Sequence, residues 1–410
     1  MNYEARRNQI KEQMEEESLL ILYSGAPCHR SADAYYEFDA NRHFFYLTGL
    51  RRENMILFMR KAGSNSRVTL YIEKADPTAE RWTGKMVTVE EAKQISGIED
   101  VRFVDRFDAE INYLLNITDV SCCYFDCFRN GSTDLPDYNL SKAREFAANY
   151  PGVPVRNLWA MAARMRMMKD AEEVALISKA IDITNQGLQR VLKNLKPGTR
   201  EYQAQADYEY MVHYLGAEGP SFPTIAGSGK NGCMLHYETN RDICQDGNLL
   251  LLDLGTRWEG YCSDITRTYP VNGKFTDRQR QVYEIVLRAN KEVAAQAKPG
   301  MTTRELNDIC KKVLSEGCME LGLIEKEEDI GRYYMHGVSH HLGIDVHDVT
   351  VEGVKLAPGS VITDEPGLYI DEWEIGIRIE DDLLITEDGC QVLSAGIIKE
   401  PEEIEAFMAQ

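Results

Sequence analysis

Basic residues are scarce in this chain: its 410 positions hold 46 Lys and Arg against 66 Asp and Glu, a formal net charge of −20. Phosphate binding needs a basic surface, so this balance argues against nucleic acid or an anionic membrane as a partner. Long apolar runs are missing too. Purely aliphatic stretches stop at four residues, as in residues 249–252, far below the ~20 that a bilayer-spanning helix needs. No CxxC pair occurs among the ten cysteines, which leaves reduced, mostly buried thiols as the expectation. The first twenty residues, MNYEARRNQIKEQMEEESLL, lack the apolar core and small-residue cleavage site of a secretory signal. A cytoplasmic location is therefore expected.

What is present first suggests two domains, because 410 residues exceed one ordinary core. Short apolar runs such as SLLILYSG, NMILFMR, VTLYIEK and CCYFDC alternate with charged segments such as TVEEAKQI, which predicts an α/β domain over residues 1–168. A second domain, residues 169–410, opens with Asp170 and Glu173 spaced as a capping box. Val174, Ile177, Ile181, Leu188 and Val191 then keep one apolar face up to a KPG turn, and a second helix and strands follow. About a hundred residues later the plan returns. Thr276 and Gln279 can cap a helix carrying Val282, Ile285, Val286 and Val293, which ends at a second KPG. Two helices around KPG and then two strands, twice over, predict an internally duplicated α+β unit.

Acidic residues recur at matching places in the two halves. If GNLLLLDLGTRWEGYCSDITRTYPV folds as a hairpin centred near Trp258 and Glu259, Asp253 lies opposite Asp264. In GSVITDEPGLYIDEWEIGIRIEDDLLIT, a turn at DEW opposes Glu365 and Glu380. Cross-strand β-carbons stand roughly 4.5–5.5 Å apart, close enough for a shared ion. Pseudo-twofold stacking of the halves would gather all four carboxylates, and such a cluster needs cations to stay ionised. Taken singly, each acid also reads as a turn residue, and EDD before LLIT as a solvated edge. Four of the eight histidines lie in MHGVSHHLGIDVHD: His336, His340, His341 and His347. HGVSH lacks the glutamate of the H-E-x-x-H zinc peptidases, so mononuclear zinc is not the preferred reading. His29, His43 and His213 read as ordinary polar residues.

Taken in order, FPTIAGSGKNGCMLHY, LLLDLGTRWEGYCSDITRTYPV, MHGVSHHLGIDVHD, DEPGLYI and GIRIEDD resemble the motifs of the pita-bread metallopeptidases, and among them the aminopeptidase P family. RSADAYYEFDANRHFFYLTG, ERWTGKM and IIKEPEEIEAFM extend the likeness over nearly the whole chain. The resemblance implies an α/β amino-terminal domain followed by a pita-bread (creatinase/aminopeptidase-like) α+β domain with an internal pseudo-twofold. It further implies that Asp253, Asp264, His340, Glu365 and Glu380 are metal ligands, with Asp264 and Glu380 bridging two ions. His236 and His347 fall at oxyanion-side positions and His336 at the proline pocket, with Tyr369 and Arg378 lining the same region. Asp33, Trp82 and Arg166 match substrate-side positions; read without the resemblance they are a loop turn, a core aromatic and a surface ion-pair residue. His341 matches no role.

The activity so implied is hydrolysis of the bond between an N-terminal residue and a following proline, with Glu365 shuttling the proton. The partners expected are peptides with proline second, in a homodimer or homotetramer. Four carboxylates and one imidazole form a hard donor set that favours two Mn(II) ions, with Co(II), Fe(II) and Zn(II) as alternatives. Competing readings are a prolidase restricted to Xaa-Pro dipeptides and a non-catalytic binding module on the same fold.

Overall fold

Leu19, Ile21, Phe58, Tyr71 and Phe125 are the apolar strand residues around which the amino-terminal part of the chain folds. Their strands form one six-stranded sheet in the order Asp100–Phe103, Arg67–Ile72, Ile56–Lys61, Ser18–Tyr23, Cys122–Phe125 and Val155–Asn157. Ile56–Lys61 pairs antiparallel with both of its neighbours, and the outer pairings are parallel. The helices Phe107–Ile117 and Tyr138–Asn149 bury Ile111, Leu114, Ala143 and Phe146 against this core. The segment TVEEAKQI forms the helix Val89–Ser96, started by a complete Thr88/Glu91 capping box. The computed structural model describes residues 1–410, and their contacts separate into two units, Met1–Arg166 and Met167–Gln410. All ten cysteines are free and seven are buried. No helix is long and apolar enough to cross a membrane.

The second unit carries the predicted repeat. Helix Ala171–Asn194 begins at the Asp170/Glu173 capping box and buries Ile177, Ile181, Leu188 and Val191; the KPG turn leads into helix Glu201–Tyr214. Helix Asp277–Gln296 begins at the Thr276/Gln279 box, buries Val282, Ile285, Val286 and Val293, and is followed by helix Thr303–Glu320. Each helix pair precedes a β-hairpin in which the acidic residues sit.

The hairpins differ in register. In the first, Glu259 and Gly260 both have positive φ, 46° and 83°, as the two central residues of a tight type I′ connection require. That centres the hairpin one residue later than expected, so Asp253 stands opposite Thr266 and not Asp264. Because side chains alternate with period two, Asp264 remains on the same face as a diagonal neighbour. Between the ladders the backbone closes tightly at Gly255, where a β-carbon would lie 1.9 Å from the Ser263 carbonyl oxygen. In the second hairpin the turn Asp371–Trp373 gives Gly367 opposite Arg378 and Asp364 opposite Asp381. The same offset opposes Glu365 and Glu380 at the junction between two short ladders.

Candidate metal centre

Two hydrogen-bonded alignments bring the acidic residues and the histidine segment together. Strand Ile265–Pro270 runs antiparallel along residues 378–382: Thr268 Oγ1 meets the Arg378 N–H and carbonyl, and the Glu380 N–H donates to the Thr266 carbonyl. At the end of that run the Asp264 N–H donates to Asp382 Oδ2 at 3.3 Å. Residues 338–342 then run beside 361–365, with the Thr363 N–H on the His340 carbonyl and the Glu365 N–H on the Val338 carbonyl, each at 2.9 Å. His340 is thereby set beside Glu365. Its Nε2 lies 3.4 Å from Asp264 Oδ2 and 3.6 Å from Glu365 Oε1.

Asp264, His340 and Glu380 have ligand atoms all within 4.8 Å of one another. Asp253 and Glu365 complete the lining of the same cavity, about 490 Å³ in volume, with Phe222, Ile225, Leu235 and Val346 as its apolar wall. The donor set fits a divalent cation on two further observations. Asp253 Oδ1 is buried without a hydrogen-bond partner. His340 Nδ1 faces the His341 carbonyl at 3.0 Å; a proton there leaves Nε2 with its lone pair toward the carboxylates. Burial, and then the neighbouring carboxylates, push the acids Asp264 and Glu380 well above the usual carboxylate range. Burial raises Glu365 as well. So many carboxylates gathered at largely buried positions are costly without a cation.

Arg378 carries the only basic side chain among the lining residues apart from the histidines. Its guanidinium reaches Asp253 Oδ2, Thr266 Oγ1 at 3.0 Å and Tyr369 Oη at 2.8 Å. Tyr369 in turn lies 2.8 Å from His336 Nε2, while His336 Nδ1 faces the Gly337 carbonyl. That network assigns a neutral ring that donates from Nδ1 and accepts from the tyrosine. Burial agrees, holding His336 down to about 4. His347 stacks on His340 with ring centroids 3.9 Å apart, and burial lowers it to about 4 also. His236 lines the cavity from its exposed side.

Residues 175–387, just over half of the chain, match the profile of metallopeptidase family M24, and residues 3–122 match the aminopeptidase P N-terminal domain. The chain belongs to metallopeptidase family M24. Membership makes it a hydrolase that works with divalent metal. The Xaa-Pro aminopeptidase of Escherichia coli strain K12 is 35% identical over 434 residues, covering 99% of this chain and 97% of that protein. A Bacillus anthracis structure with a provisional aminopeptidase P assignment is 42% identical at a TM-score of 0.97, covering 99% of this chain and 97% of that one. Escherichia coli aminopeptidase P with the inhibitor Pro-Leu is 33% identical at a TM-score of 0.90, covering 100% and 98%. The same enzyme has been solved zinc-substituted with product. These matches bear out the expected fold, an α/β amino-terminal domain and a pita-bread metallopeptidase domain.

Within this metallopeptidase, the ten site residues expected from 236 to 380 all line the cavity or, for Tyr369, bond to a residue that does. The other three belong to the amino-terminal unit. Asp33 sits in the turn between the short strands His29–Ser31 and Ala34–Tyr35, and Trp82 is 87% exposed, so the core alternative for Trp82 does not hold. Arg166 is 2% exposed, with Nη1 3.5 Å from His43 Nδ1, which removes its surface alternative. The solvated-edge reading of EDD fails as well: Asp381 and Asp382 are 1% and 0% exposed. Asp381 is held far below its ordinary range by Arg267 and Lys399 despite its burial. Sequence reasoning missed Asp382 and Thr266, which bond to Asp264 and Glu380. Asp382 had a usable signal, since it stands two residues beyond Glu380 on the same strand face. Thr266 had none.

Proposed function

We propose that this protein is a metal-dependent Xaa-Pro aminopeptidase in which Asp253, Asp264, His340, Glu365 and Glu380 would hold two divalent cations, Mn(II) foremost. The gathering of four carboxylates and one correctly oriented imidazole in a buried, anionic cavity carries the reading. Divalent cations would supply Lewis acidity there, lowering the pKa of water and polarising the scissile carbonyl.

The protein's own groups do the rest. Glu365 accepts the proton of the attacking water and delivers it to the proline nitrogen as the C–N bond breaks, releasing the N-terminal amino acid and a peptide beginning with proline. Proline's tertiary amide nitrogen carries no hydrogen, so the pocket has no amide donor to satisfy. His347, held neutral by burial, and His236 donate to the developing oxyanion. His336, tied to Tyr369 and Arg378, borders the proline ring. The family resemblance alone supports Asp33, Trp82 and Arg166 as substrate-side residues and a homodimer or homotetramer as the assembly. The catalytic domain is taken to begin at Lys169.

Peptide length separates this activity from a prolidase. With Mn(II) as the only added metal, a tripeptide or longer substrate with proline second is expected to be cleaved with a higher kcat/KM than Gly-Pro. Cleavage of the dipeptide alone would reassign the enzyme as a prolidase.

A further inference from the structure

His341 has no place in that mechanism, yet its carbonyl is the acceptor on which His340 turns. It receives the Asp348 N–H at 2.8 Å and faces His340 Nδ1 at 3.0 Å. The side chain of Asp348 meets Lys169 Nζ at 3.0 Å, and both side chains are 1% exposed. Lys169 is in turn fixed by its own backbone, whose N–H donates to the Gly359 carbonyl at 2.7 Å. Gly343 packs against the pair so closely that a β-carbon there would lie 2.3 Å from Asp348 Oδ2 and 2.8 Å from Lys169 Cε.

The pair closes one end of the turn formed by residues 341–348. At the other end the Gly343 carbonyl accepts the Cys262 N–H at 2.8 Å, two residues before Asp264. His347, next to Asp348, is the ring stacked on His340. One buried ion pair thus holds Asp348, whose N–H meets the acceptor facing His340 and whose chain neighbour is the stacked His347. For stability alone it is a poor device, because desolvating two charges offsets most of their attraction and an apolar pair serves as well.

We propose that Lys169 and Asp348 are positioning residues for the reaction, clamping the 341–348 turn so that the His341 carbonyl fixes the tautomer and direction of His340 and holds His347 against it. This rests on the metallopeptidase reading of the site.

Two variants test it. Lys169→Met/Asp348→Leu removes both charges with apolar replacements and is expected to unfold cooperatively near the wild-type temperature. Asp348→Asn keeps the size and the backbone N–H but weakens the clamp. Expected in the folded variants are Mn(II) binding weakened about 10- to 100-fold by calorimetry, the scale of losses from groups that orient ligands, and a lower kcat with KM little changed at saturating metal. The larger loss should fall in the double variant. Folded variants that keep metal affinity and kcat within twofold of wild type overturn the proposal. So does failure of both to fold, which would make the pair a stability element. Because metal affinity is read without substrate, wild-type protein that binds Mn(II) but spares Xaa-Pro peptides would sink the activity and leave this test standing.

Discussion

Glu365 is the residue on which the proposed chemistry turns. It is half-buried, accepts from Thr363 Oγ1 at 3.3 Å and faces both His336 and His340. Glu365→Gln keeps the shape and that hydrogen bond while removing the proton carrier. The variant is expected to fold normally and to lose at least about 100-fold in kcat, as removal of a general base does; near-normal turnover would take Glu365 out of the mechanism. Single residues of this kind were legible because each stands in a local motif with a chemical reason. Residues that reach the centre only through the partner hairpin, Thr266 above all, have no such signature.

At the scale of elements, the first hairpin depends on a backbone approach that only glycine permits. Gly255→Ala would drive a methyl into the Ser263 carbonyl and Ser221 Oγ. We expect about 3 kcal/mol of destabilisation, at the upper end for overpacking, and weaker metal binding as Asp253 and Asp264 separate; an unchanged unfolding midpoint would refute the account. The amino-terminal sheet offers a pH test. At its edge Arg102 bonds to Asp100 and Glu110, and these bonds together with Thr69 and Tyr71 hold both carboxyls below their ordinary range despite partial burial. A depressed carboxyl stabilises the fold above its unfolded pKa, and the contribution disappears as pH falls through the folded value. Urea midpoints should therefore drop between pH 5 and pH 3, and drop less in Arg102→Met. Equal drops would exclude this cluster as a source. Helix starts and repeat order could be read from capping boxes and spacing, which are local. The hairpin register could not, since it turned on Glu259 accepting a positive φ.

For the whole molecule, metal removal is the decisive experiment. Exhaustive chelation, verified by elemental analysis, should abolish Xaa-Pro cleavage, and Mn(II) should restore it; retained activity without metal would end the proposal. Binding only to the folded state should also raise the unfolding temperature, since metal at a hundredfold over its dissociation constant stabilises by about 2.7 kcal/mol. A flat thermal profile across a manganese titration would count against a preformed site. By itself the sequence determined the two-domain plan, the duplicated helix pairs, the acid positions and the likeness to aminopeptidase P, because periodicity, caps and motifs act over a few residues. Only the tertiary structure decided that Asp253 faces Thr266, that Asp381 and Asp382 are buried, and that Lys169 reaches Asp348 across 179 positions. Those outcomes depend on packing between segments distant in the chain, and no local pattern encodes which side chains will meet there.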